Sequence, residues 1–262
     1  MCGRPGIGPA TSGSSRTSTP TGSTCQARPT VHRQQVQTHG EQPNDCRLPG
    51  PARDSWHAAT VTGSGLPARW VPPWDSGVWL NPPEDVVREG DDLLVTAVRG
   101  SDLWRTTAYG FVHDSGHALL LPLPDGTAAE VCFVVDYGEQ FDQAGLLVRA
   151  DAHSWIKAGV EVSDGELQVG AVVTRETSDW SLSPVPHWAG REVTMRASRS
   201  GDALTIRARV DTEPWQLVRV APIAADARLQ VGPYCCAPTR SGLVVRFRAA
   251  RLETADALLH PG

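Results

Sequence analysis

FDQAGLLVRADAHSWIKAGVEV, residues Phe141 to Val162, decides the fold of this chain. Read as two strands joined at Asp151-Ala152-His153, it alternates with a period of two. Ile156, Ala158, Val160 and Val162 then share one face, and Trp155, Lys157, Gly159 and Glu161 the other. The aliphatic set is a core face. The opposite set carries Lys157, the single lysine in a chain whose lysines and arginines total 24. Two readings compete for it. One is a Lys157 to Glu161 ion pair on a solvated sheet, since opposite charges at this spacing are common there; the other is a face that binds a ligand.

The same period runs outward from this stretch. Leu93 to Arg99, Trp104 to Val112, Glu130 to Asp136, Gly145 to Ala150, Trp155 to Val162, Leu167 to Thr174, Val193 to Ser198, Ala203 to Val210, Trp215 to Val220, Arg228 to Val231 and Leu243 to Leu252 read as strands. GDD, HDSG, PDG, SDG, SGD and SG punctuate them, combinations that turn a chain tightly. No segment sustains a helical period. Many short strands without helices to cover a parallel sheet indicate an all-β chain folded as an antiparallel sandwich. On its solvent side Arg207, Arg209, Arg246 and Arg248 alternate with aliphatic residues and are expected to face water.

Composition divides the chain. Residues 1 to 65 are rich in Gly, Pro, Ser, Thr, Gln and Arg, too poor in apolar surface to offset the entropy of ordering, and are expected to be a disordered extension. Residues 66 to 262 hold eight of the nine tryptophans and form the expected folded domain. The net charge of −5 disfavours nucleic acid as a partner. The start MCGRPGIGPATSGSS lacks the apolar run of a secretory signal, and Ala118 to Leu123 is too short to span a bilayer, so a cytoplasmic setting without a membrane partner is expected. The six cysteines show no CxxC spacing, which argues against zinc. His113 and His117 flank a turn, and Asp91-Asp92, Asp136 and Asp142 lack the spacing of a calcium loop. Neither a cofactor nor a metal is expected, for no phosphate-cradling loop, dinucleotide fingerprint or Ser-His-Asp motif is present.

WLNPP at Trp79 to Pro83, SDLWRTTAYGF at Ser101 to Phe111, DQAGLLVR at Asp142 to Arg149, WIKAGVE at Trp155 to Glu161, VVT and SDWS between Val172 and Ser181, and VGPYCCAPTRSGLVVRF at Val231 to Phe247 occur in one order. Together they resemble the "regulation of enolase" family, a domain-of-unknown-function family. The resemblance covers about residues 70 to 252. It implies a jelly roll of two curved sheets of the concanavalin A-like lectin/glucanase type, and carbohydrate as a ligand. The chain departs from the family in its N-terminal extension, in Pro72-Pro73-Trp74 and in the paired Cys235-Cys236.

The candidate site follows from chemistry. On a strand from Trp104 to Val112, Arg105, Thr107, Tyr109 and Phe111 would share a face. Arg105 and Tyr109, with Trp155, Lys157 and Glu161, with Asp142 and Gln143 ahead of a strand, and with Asp179 and Trp180 in a polar loop, supply aromatic planes and hydrogen-bonding groups. A saccharide or other small polar ligand needs both: pyranose C–H faces pack on rings, and hydroxyls bond to Asp, Gln, Arg and Lys. No catalytic residue is expected. A glycoside hydrolase remains the alternative, but its two carboxylates must stand about 5 to 5.5 Å apart for retention. Glu161, Asp164 and Glu166 do not share a face, although a carboxylate on a facing strand could meet Glu161. A protein-interaction module is the third class, because Arg, Trp and Tyr anchor interfaces as well.

Overall fold

The computed structural model describes residues 69–70 and 74–260. The expected extension over 1–65, with its three cysteines and three histidines, and Pro72-Pro73 lie outside the described residues. The elements run β1 (Arg69–Trp70), a 3-10 turn (Trp74–Ser76), β2 (Val78–Leu80), β3 (Asp85–Glu89), β4 (Asp92–Thr96), β5 (Leu103–Arg105), β6 (Val112–Asp114), β7 (His117–Leu123), β8 (Thr127–Val134) and β9 (Gln143–Arg149). They continue as β10 (Ser154–Ser163), β11 (Glu166–Arg175), β12 (Thr177–Pro184), a second 3-10 turn (Pro186–Trp188), β13 (Glu192–Ser200), β14 (Ala203–Val210), β15 (Gln216–Pro222), β16 (Leu229–Cys236) and β17 (Val244–Thr254).

Two antiparallel sheets form a sandwich. One has the order β15-β14-β13-β8-β17-β4-β3, with β1 also on β17; the other has the order β12-β11-β10-β9-β16-β7-β2. Between them lies the main core. Ile156, Ala158, Val160 and Val162 point into it, as their alternation requires, and meet Val131, Phe133, Met195, Ile206 and Phe247 from the opposite sheet. At the β8 to β17 pairing Phe133 and Phe247 pack with ring centroids 6.3 Å apart.

The outer face of the second sheet is also covered. β9 is buried along its whole length and β10 at all but its first residue. A two-stranded hairpin, β5 with β6, folds over this face and traps a second apolar cluster that includes Leu103, Trp104, Leu147, Trp155, Val172 and Tyr234. The expected single strand from Trp104 to Val112 is therefore corrected. Its middle is a turn in which Thr106, Ala108 and Gly110 take φ of 63°, 62° and 75°, left-handed values that break the period of two. Partly buried polar contacts pin the hairpin's base. Arg149 grips Asp114 bidentately at 2.7 and 2.8 Å, and Asn81 donates through Nδ2 to the carbonyls of Asp114 and Gly116. His117, the buried first residue of β7, accepts from the Val98 amide at Nε2 and donates from Nδ1 to the Asn81 carbonyl.

Two further expectations change. Asp179 and Trp180 belong to the edge strand β12, not to a loop, and Trp180 pairs with Val172. Arg207 does not face water: it is buried, bonds to the Leu259 carbonyl and pairs with Asp256. Arg246 and Arg248 share Asp92 at 2.8 and 2.7 Å, and Arg209 lies over the Trp215 ring at 4.4 Å. The outer surface of the first sheet is tied into local networks by the charges that strand alternation pointed away from the core.

Candidate functional site

A row of glycines shapes the outer face. Gly145, Gly159 and Gly170 stand side by side on β9, β10 and β11. A Cβ on Gly159 would lie 2.1 Å from the Ala144 carbonyl oxygen, so the backbones approach too closely for any side chain there. Beside this bare strip, Lys157, Glu161 and Gln143 project to the same side.

Lys157 is buried, 4% exposed. Its Nζ donates to Gln143 Oε1 at 2.7 Å and to Asp102 Oδ1 at 3.1 Å. Asp102, in the segment leading into β5, also accepts from the Leu103 amide at 2.7 Å. Burial works against the lysine's charge, but Asp102, with Cys236 and Glu161 adding, outweighs it and holds the ammonium above its ordinary value. The ion pair of Lys157 is thus with Asp102, not with Glu161 across a solvated face. Glu161 is 8% exposed. Burial pushes its carboxyl up to about 7, with Lys157 opposing and Asp102 reinforcing the shift.

Above this floor opens a cavity of about 360 Å³. Its floor is Asp102, Gln143, Lys157 and Glu161, and its walls are Trp104, Tyr109, Phe111, His113, Phe141 and Trp180. Trp104 meets Trp180 at 5.9 Å with planes 84° apart, and Tyr109 at 5.5 Å with planes 67° apart. Two adjacent walls are thereby set nearly at right angles. Tyr109 stacks on Phe111 at 5.3 Å, and both are exposed at the mouth. Left-handed backbone at non-glycine residues costs energy, and it gathers here: Thr106 and Ala108 in the hairpin turn, Phe141 in the wall, Asn81 at the hairpin's base and Glu176 beneath Arg105.

Five of the expected site residues line this cavity: Tyr109, Gln143, Lys157, Glu161 and Trp180. Four have other partners. Arg105 donates through Nε to the Glu176 carbonyl and so fastens the hairpin to the turn between β11 and β12. Asp142 is fully buried and clasped by Arg240 at 2.6 to 3.0 Å. Trp155 is packed in the outer cluster, with no hydrogen-bond partner for Nε1 among the described residues. Asp179 points outward to Arg219 at 2.8 Å. Asp102, Phe141 and His113 also line the cavity though none was expected in the site: Asp102 and Phe141 sit just outside strands, and His113 is in the short strand β6. Trp104, an aromatic inside a recognisable motif, lines it as well.

The carboxyl of Glu161 shares the cavity with one other carboxylate, Asp102, which comes from the segment before β5 and not from a neighbouring strand. Among the described residues no cluster of His, Cys, Asp or Glu is arranged to hold a metal ion, and no helix is long and apolar enough to cross a membrane.

Comparison with known proteins agrees with this architecture. Over 171 residues the chain is 38% identical to "Regulation of enolase protein 1" of Saccharomyces cerevisiae, covering 65% of this chain and 86% of that protein. It is similar to the crystal structure of a functionally unknown protein from Saccharomyces cerevisiae, with a TM-score of 0.66, 36% identity, and coverage of 71% of this chain and 99% of that one. A xylan beta-1,4-xylosidase from Bacillus halodurans C-125 shares the fold alone, with a TM-score of 0.54 at 15% identity over 73% of this chain and 40% of that one. Residues 79–255 match the model of the family described as protein of unknown function (DUF1349), and the chain belongs to that regulation-of-enolase-like family.

Proposed function

We propose that this chain is a non-catalytic binding protein whose cavity takes a saccharide or a small polar ligand of similar shape. One observation carries the reading: aromatic walls at right angles stand over a buried floor of Asp102, Gln143, Lys157 and Glu161. Rings receive the apolar faces of a pyranose, and the floor supplies donors and acceptors for its hydroxyls. Lys157 has three N–H groups and two protein acceptors, which leaves one for a ligand. The volume falls within the range of about 300 to 1,000 Å³ usual for small-molecule sites.

The test is a titration of the full chain with a glycan and metabolite panel, read by tryptophan emission and confirmed by calorimetry. A ligand that occupies the cavity shifts the emission of Trp104 and Trp180, and Trp180→Ala weakens its binding. If no saccharide or polar metabolite binds at millimolar concentration, the reading is wrong.

A second reading, hydrolysis of a glycoside, draws on Glu161 and Asp102 lining one cavity, with Glu161 held near 7 as a general acid would need. Release of reducing sugar from xylans or β-glucans that is abolished in Glu161→Gln would favour it over binding alone. A protein partner is the third possibility, suited by the exposed Tyr109, Phe111 and Val112 at the hairpin tip. Binding of a protein that is lost on Phe111→Asp, with no small ligand found, would select it.

A further inference from the structure

The charges on the cavity floor do not cancel. Lys157 and Asp102 neutralise each other at 3.1 Å, whereas Glu161 has no ion pair among the described residues. The charged and titratable groups that act on its carboxyl are Lys157 on its own strand, Asp102 before β5, Tyr234 and Cys236 of β16 and, more remotely, Tyr137 after β8; Gln143 of β9 and Trp180 of β12 stand beside it, and His113 of β6 lines the same cavity. The one cation in that set is already paired. A buried carboxyl in such surroundings resists ionisation, and a positive charge brought beside it removes that resistance.

Building on the saccharide reading above, we propose that the cavity selects an amino sugar, a saccharide with a protonated primary amine, seating the ammonium on Glu161 and the ring against Trp104 and Trp180. The ammonium supplies the missing counter-charge at a carboxyl only 8% exposed, so the pairing is stronger than on a surface. Indole and phenol faces attract a cation as well as stack on a ring, and Trp104, Tyr109 and Trp180 offer three of them. A neutral sugar gains the stacking but not the charge pairing. An N-acetylated amino sugar has lost the charge and carries extra bulk. The raised carboxyl of Glu161, near 7 in the free protein, fits this assignment, because binding the ammonium expels its proton.

Isothermal titration of the full chain with the disaccharide of glucosamine, its N-acetylated form and cellobiose tests the assignment. At pH 7 the glucosamine disaccharide should bind roughly tenfold or more tightly than the other two. Its affinity should fall roughly tenfold between pH 7 and pH 5.5 as Glu161 becomes fully protonated, and that fall should be absent in Glu161→Gln, which leaves His113 of the same cavity in place. Glu161→Gln, which keeps the shape of the floor, should bring the three ligands to parity. If cellobiose binds the unaltered chain as tightly as the glucosamine disaccharide, or the preference survives in Glu161→Gln, the amino-sugar assignment falls while the saccharide reading stands. If none of the three binds, and no other saccharide does, both fall.

Discussion

Replacing Glu161 with glutamine should stabilise the protein above neutral pH. The carboxyl ionises near its ordinary 4.5 in the unfolded chain and only near 7 in the fold, where burial disfavours the charge. Between those values the unfolded chain gives up its proton while the folded chain keeps it. Stability therefore falls as pH rises from about 4.5 to about 7 and then levels off. Ionising near 7 instead of near 4.5 costs roughly 3 kcal/mol, of which roughly 2 kcal/mol is lost between pH 5 and pH 8. Glutamine has no proton to lose. Its amide keeps the size of the side chain, so that contribution to the pH dependence vanishes without a cavity being opened. Urea unfolding of both proteins at pH 5, 6, 7 and 8 measures this. The variant should match the unaltered chain within about 1 kcal/mol at pH 5 and exceed it by about 2 to 3 kcal/mol at pH 8, a rise in melting temperature of several degrees for a domain of this size. Parallel pH profiles, or a variant that is less stable at pH 8, would refute the placement of Glu161 as a buried carboxyl without its own counter-charge.

Three other outcomes are expected. Lys157→Met removes the donor shared by Asp102 and Gln143 and leaves the largely buried Asp102 carboxylate without its counter-charge, so stability should drop by about 3 kcal/mol in denaturant unfolding, and Asp102→Asn in the same chain should recover part of the loss. Gly159→Ala forces a Cβ against the Ala144 carbonyl and the Gly145 backbone and should cost at least about 2 kcal/mol by the same measurement; an unchanged midpoint would mean that the two strands can part there without penalty. Removing residues 1–65 should leave the calorimetric melting transition where it is, and a transition that broadens or moves down by many degrees would show that those residues contribute to the fold.

Strand periodicity determined a great deal. The alternation in Phe141 to Val162 assigned Ile156, Ala158, Val160 and Val162 to the core and put Lys157 and Glu161 together on the other face, because successive side chains of a strand must point to opposite sides. Turn chemistry and the absence of helical periods were enough for an all-β antiparallel sandwich. What alternation cannot tell is what covers a face once it is made. Lys157 reads equally as a solvated charge or as a buried one until β5 and β6 are seen to fold over it. That cover depends on left-handed φ at Thr106 and Ala108, residue types that give no warning of it, and on the clamps from Arg149 and Asn81, 35 or so residues away from their partners. Asp102 reaches the floor only through this arrangement. Trp180 joins the wall because β12 pairs in register with β11, and Asp142 leaves the site because Arg240, 98 residues further on, closes over it. Local sequence sets which way each side chain points; long-range packing alone selects which of the outward-pointing residues share a cavity.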